Sequence, residues 1–257
     1  MKLVFQHLRE TRNIGDRWCS PFDYFNWPGA EARDLRKAGA AYDIGIYGGG
    51  KIFGSLSKEA GVIRGQTTRH IAWGVSTVQT FPISFRYSAS RRLCELIGSR
   101  DFGDKRYDFA PCVSCMSPLF DIVKPPEHDV VFYYHAGKTA GQGINIPSWM
   151  PSLSNNCSSL EEALAFIASG RTVVSNSYHG VYWSLLMGRR VICIPFSGKF
   201  SSYRYPPFYS SAKRWADDLR KGLAQPQMLQ VCREATLRFK YRVDAVIDEV
   251  NAAHSRL

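Results

Sequence analysis

The segment from Val173 to Lys199, VVSNSYHGVYWSLLMGRRVICIPFSGK, constrains the fold more than any other part of the chain. A strand-like apolar run gives way to a polar turn ending in His179-Gly180, then a helical stretch. A short Gly188-Arg189-Arg190 turn and a second strand, Arg190 to Pro195, follow, with Lys199 in the loop beyond. Strands separated by helices argue for a parallel sheet with helices on its faces.

The alternation recurs along the chain. Met1 to His7, Tyr42 to Tyr47, Arg69 to Val75, Leu96 to Arg100, Asp129 to His135 and Arg171 to Ser175 read as strands. Helical spacing is expected over Ala30 to Ala41, Ser88 to Glu95, Ser159 to Ser169, Tyr182 to Met187, Ala212 to Ala224 and Gln227 to Ala253. The prolines of Asp121-Ile122-Val123-Lys124-Pro125-Pro126 mark a linker. The reading is therefore α/β, with two Rossmann-like domains, 1–125 and 126–257, and a C-terminal helix packing back across them.

The length of 257 residues accommodates two domains of about 100–150 residues. No run approaches the ~18 apolar residues of a membrane helix, and charge arrives too early in the N-terminal segment for a signal peptide. Seven scattered cysteines suit a reducing cytoplasm better than a disulfide framework. A zinc site resting on Cys112 and Cys115 lacks a second ligand pair, and no metal is expected. Lys and Arg number 33 against 22 Asp and Glu, a net charge of +11. The basic residues are dispersed rather than clustered with aromatics, which argues against nucleic acid and leaves an anionic substrate or a solvated surface.

In open parallel sheets ligands sit beyond the carboxyl ends of the strands, so the loops after the strands hold the candidate residues. Gly45-Ile46-Tyr47-Gly48-Gly49-Gly50-Lys51-Ile52 approaches a phosphate loop but has Ile52 where a hydroxyl would hold Mg²⁺. A dinucleotide fingerprint fails at Phe53. Three glycines after a strand still let a backbone approach a ligand, or simply make a tight turn. In Asn13-Ile14-Gly15-Asp16, Asp16 could take a proton or hold a sugar hydroxyl and Asn13 could donate to an oxyanion; a cap and turn is the plainer alternative. Ser175-Asn176-Ser177-Tyr178-His179-Gly180 places a histidine in a strand-to-helix turn, where backbone N–H groups attract anions and imidazole moves protons near neutral pH. Lys199 in the neighbouring loop can neutralise phosphate or carboxylate. The aromatic run Tyr203 to Tyr209 could stack on sugar rings or pack as a loop.

Together, Asn13-Ile14-Gly15-Asp16, Tyr47-Gly48-Gly49-Gly50, Ser99-Arg100-Asp101 and the Val173–Lys199 block resemble the polysaccharide pyruvyl transferase family over roughly residues 1–200. The resemblance implies a GT-B-like fold with its active site between the domains. It also implies phosphoenolpyruvate as co-substrate, no cofactor, and a glycan or lipid-linked oligosaccharide as acceptor, ketalised at two hydroxyls with loss of phosphate. His179 takes the place of the catalytic histidine, with Asp16 as hydroxyl-orienting base. Lys199, with Ser175, Asn176 and Ser177, falls on the donor side, and Asn13, Gly15, Gly48, Gly49 and Gly50 on the acceptor side. Many members carry Arg where this chain has Ser177, so Arg100, Lys51, Arg171 and Arg204 are candidates to meet the donor's charge. A cytoplasmic location is implied, with peripheral contact to anionic lipid at the inner membrane face. A nucleotide-sugar glycosyltransferase of the same shape and a non-catalytic carbohydrate- or anion-binding protein are the alternatives.

Overall fold

The computed structural model describes residues 1–37, 41–56, 67–78 and 84–255. They form two compact units. The first comprises Met1–Thr11, Asp16–Ser114 and Cys232–Leu257, and the second Arg12–Gly15 and Cys115–Val231.

The first unit holds a parallel sheet of six strands in the order β2-β1-β3-β4-β5-β6. The strands are β1 (Leu3–His7), β2 (Glu31–Asp34), β3 (Tyr42–Gly50), β4 (Thr67–Val75), β5 (Leu96–Ser99) and β6 (Asp108–Phe109). Helix α1 is the single turn Ile14–Arg17, and α2 spans Ser84–Leu93. Alternation along the strands sends Phe5, Ile44, Ile46, Ile71 and Trp73 to one face and Tyr47, Ala72, Val75 and Ile97 to the other. The first face is covered by the C-terminal helix, α5 in the chain (Met228–His254), whose Phe239, Val243, Ile247 and Val250 recur at helical spacing. The second face is closed by Ile52, Phe53, Leu56 and Tyr87.

The second unit holds a five-stranded parallel sheet in the order β11-β10-β9-β7-β8. Its strands are β7 (His128–Tyr134), β8 (Ser152–Ser154), β9 (Gly170–Ser175), β10 (Arg190–Cys193) and β11 (Phe208–Tyr209). Helices α3 (Leu160–Ser169) and α4 (Tyr178–Leu186) pack on the sheet. Phe132, Met150, Val174, Ile192, Ile194 and Trp215 form an apolar cluster. Both units have the Rossmann-like layering of parallel strands and helices. No helix among the described residues is long and apolar enough to cross a membrane.

Three features differ from the sequence reading. The helix expected over Ala30 to Ala41 is instead strand β2, hydrogen-bonded in parallel register to β1 from Val4↔Glu31 to His7↔Asp34; residues 38–40 lie outside the described residues. Pairing to a sheet edge outweighs the modest helix propensity of that stretch. The helix expected over Ala212 to Ala224 is a series of turns with one 3-10 turn, Leu219–Lys221. There Ser210 Oγ and Lys221 Nζ hold the Asp218 carboxylate, at 2.7 and 2.8 Å, while Leu223 exchanges backbone hydrogen bonds with Val191 at the start of β10. The chain also passes between units at 114/115 rather than near 125, and residues 232–257 group with the first unit, where the apolar stripe of α5 is buried.

Candidate active site at the carboxyl edge of the second sheet

In the second unit the loops that follow β7, β8, β9 and β10 bring the strongest candidates together. The turn after β9 is built by its own side chains. Ser175 Oγ donates to the Ser177 carbonyl at 3.3 Å and accepts from the Ser177 N–H at 3.0 Å. Ser177 then N-caps α4, its Oγ accepting from the Gly180 N–H at 3.4 Å. Asn176, fully buried, donates to Gln142 Oε1 at 2.7 Å and Thr139 Oγ1 at 3.0 Å. Its Oδ1 accepts from the His135 N–H at 2.8 Å. The three polar side chains expected to hold the donor therefore hold the turn and the loop after β7.

His179 lies in the first turn of α4 and is 4% exposed. Its ring is edge-on to Tyr178 at 5.5 Å and tilted against Trp183 at 5.4 Å. The backbone of Gly15 presses on the imidazole: a Cβ built there would fall 2.1 Å from Nδ1 and 2.4 Å from Cγ. No side chain larger than hydrogen fits. Asn13 Oδ1 accepts from the Gly15 N–H at 3.2 Å, and the Ile14 N–H donates to the Asn155 carbonyl at 2.9 Å. Asn13 and Gly15, expected on the acceptor side of an N-terminal domain, thus pack with the second unit. Gly180 is constrained likewise, since a Cβ there would lie 2.4 Å from Tyr133 Cδ1 and 2.5 Å from Ser175 Oγ.

Lys199 follows β10 in the 3-10 turn Gly198–Ser202. Its ammonium lies over the rings of Phe196 at 4.6 Å, Phe200 at 5.2 Å and Tyr178 at 5.9 Å. Tyr178 stacks on Tyr203 at 5.0 Å, and the Tyr203 hydroxyl donates to the Tyr178 carbonyl at 2.9 Å. Tyr203 is thus a packing residue, and Phe208 and Tyr209 form β11. One residue the sequence reading left among strand-end histidines joins the site: His135, at the end of β7. Burial and the positive charges of Lys199 and Lys138 hold its imidazole below the usual histidine value. Its Nδ1 accepts from the Gly137 N–H at 3.2 Å, so the proton sits on Nε2. Its position at a carboxyl strand end was the available signal.

Other candidates lie elsewhere. Arg171 is near the amino end of β9, beside Asp129 at 3.5 Å, and does not reach this edge. In the first unit, Gly48 and Gly49 end β3 against the segment after α1. A Cβ on Gly49, where φ is +60°, would fall 2.3 Å from Cys19 Sγ, and one on Gly48 3.1 Å from Pro21 Cδ. Close packing accounts for both. Gly50, at φ +79°, stands beside Asp16, whose carbonyl accepts the Cys19 thiol at 2.9 Å. Lys51 is exposed after β3. Arg100 is buried after β5, its N–H donating to the Val75 carbonyl at 3.0 Å. Cys112 and Cys115 are buried and in no disulfide, and the Cys112 Sγ pairs with Ser114 Oγ at 3.2 Å.

A functionally uncharacterized protein from Klebsiella pneumoniae superposes with a TM-score of 0.49 at 13% identity, over 77% of this chain and 84% of that chain. No family model matches the sequence, and no curated protein matches it.

Proposed function

We propose that this chain is a pyruvyl transferase, moving the enolpyruvyl group of phosphoenolpyruvate onto two hydroxyls of a sugar as a cyclic ketal. One observation carries the reading: His179 is buried in the first turn of a capped helix at the carboxyl edge of a parallel sheet, clamped by a residue that must be glycine. Lys199 occupies the loop after the adjacent strand. An imidazole, an ammonium and a helix N-terminus suit a substrate with a carboxylate and a phosphate.

In this proposal Lys199 and the N-terminus of α4 hold the donor's anionic groups, and His179 is the general acid that protonates the methylene carbon. A first sugar hydroxyl bonds to the central carbon and passes its proton to the imidazole of His179, which restores the general acid. The C–O bond to phosphate then breaks, and a second hydroxyl closes the ring as its proton departs with the phosphate. The neutral His135 imidazole accompanies Lys199 in this site. The proposal extends to a GT-B-type fold, and to Asp16 for hydroxyl orientation and Lys51 and Arg100 for donor charge. Peripheral contact of the +11 chain with anionic lipid belongs to the same proposal.

A thermal-shift titration tests it, comparing phosphoenolpyruvate with UDP-, GDP- and CMP-sugars in the wild type and in Lys199→Ala. Selective stabilisation by phosphoenolpyruvate, weakened in the variant, is the expected result. Stabilisation by a nucleotide sugar instead would overturn pyruvyl transfer in favour of glycosyl transfer.

A further inference from the structure

The carboxyl end of β1 opens onto a cavity of about 250 Å³ lined by His7, Arg9, Glu10, Arg17, Trp18 and Asp23, all in the first unit. None of these residues has a part in the chemistry above. In parallel α/β sheets this is a ligand position, and the cavity's hydrogen-bonding groups are incomplete.

His7 is 1% exposed, and its Nε2 lies 3.1 Å from the Arg17 carbonyl. A carbonyl only accepts, so Nε2 carries the proton and Nδ1 is a bare acceptor. That Nδ1 has no partner among the described residues. Burial, then the charge of Arg9, lowers the ring's pKa to about 4, so Nδ1 remains an acceptor at neutral pH. The Trp18 Nε1 is its counterpart, a buried donor with no partner among the described residues. Buried groups left in this state are costly. The hydroxyls of a sugar both donate and accept, and so supply what each of these groups lacks.

The charges point to a second ligand group. Arg9 and Arg17 form no ion pair within 4 Å among the described residues. The Glu10 carboxylate is paired with Lys37, which leaves the single carboxylate of Asp23 to face the charges of both Arg9 and Arg17. Two guanidinium groups beside it leave room for another anion, and guanidinium matches phosphate and carboxylate in geometry.

We propose that this cavity binds an anionic sugar, a hydroxyl meeting His7 and Trp18 and a phosphate or carboxylate held by Arg9 and Arg17. As the place for a charged portion of the acceptor it rests on the pyruvyl-transfer reading. As a binding site it stands apart from that reading.

The test uses the full chain labelled with 5-fluorotryptophan, with the Trp18 fluorine signal assigned through Trp18→Phe. Hexose 1-phosphate, a hexuronate, the neutral hexose and inorganic phosphate are titrated separately. The sugar phosphate or the hexuronate should move the Trp18 signal to saturation, at least tenfold more tightly than the neutral hexose or inorganic phosphate. The tighter of the two identifies the anion. Arg9→Gln/Arg17→Gln should weaken that binding at least tenfold while the remaining tryptophan signals stay in place. Equal binding of the neutral hexose, equal binding of phosphate alone, unchanged affinity in the double variant, or a Trp18 signal that never moves overturns the proposal. Sugar binding that survives where phosphoenolpyruvate fails to bind would reject the transfer reading alone.

Discussion

Gly15 and His179, far apart in sequence, meet with no room for a methyl group between them. The contact fixes one face of the imidazole by backbone, which cannot swing aside as a side chain would. Gly15→Ala should therefore displace the ring and lower phosphate release at least tenfold. Gly103→Ala, where an added Cβ meets nothing within 4 Å, should leave the rate near wild type. Equal rates in the two variants would show that the ring position does not matter.

His179→Ala should reduce turnover by at least about 10²-fold, the low end for general acid–base catalysis, while phosphoenolpyruvate affinity is kept. Pre-steady-state phosphate release alongside equilibrium donor binding separates the two quantities. A variant that turns over normally removes His179 from the chemistry.

Ser177→Ala removes the N-cap of α4 and should cost about 1 kcal/mol in urea unfolding. Ser177→Asp keeps an acceptor at the cap and should recover most of that loss.

Acidification should weaken the fold through His7. Its pKa falls from 6.5 to about 4 on folding, so between those values the unfolded chain binds more protons and stability declines as pH falls. The full effect, about 3 kcal/mol, is reached below pH 4 and absent above 6.5. Asp34, held well below the usual carboxylate range first by Arg36, also loses stabilisation in acid, at lower pH. Comparing wild type with His7→Asn isolates the histidine: the variant should show a shallower decline in melting temperature from pH 6.5 to 4.

Phe239→Ala should be severe. The ring is 2% exposed in the first unit's core, edge-on to Trp73 at 5.1 Å and filling the space above Gly98. Truncation of such a residue costs about 3–5 kcal/mol, read as a drop in the denaturation midpoint. Tyr241→Ala, on the exposed face of the same helix, should change little.

Strands β1, β3, β4, β5, β7, β9 and β10 were legible because each is a short apolar run closed by glycine or a polar turn, whereas β6, β8 and β11, of two or three residues, are too short to show a pattern. Strand β2 was not, because Glu31-Ala32-Arg33-Asp34 carries no apolar alternation and becomes a strand only through its partner β1. The histidine turn announced itself through Ser177, His179 and Gly180. The roles of its neighbours did not: Asn176 looks like a ligand residue in sequence, yet its amide is fully engaged with Thr139, Gln142 and the His135 N–H. The partner of His179, Gly15, could not be found from spacing at all, since only the fold brings the two together.

The route of the chain through its units has a consequence for synthesis. The core that holds Leu3, Phe5 and Ile44 also needs Phe239, Val243 and Ile247, which a ribosome adds only after the whole of Cys115–Val231. The first-made strands must therefore wait with that face covered only by Phe22, Phe25 and Trp27 while the later unit already has all its strands. Assembly in the cell then runs against the usual order, in which the earlier part of a chain folds first. A chain stalled before Cys232 would present the rest of that apolar face to chaperones.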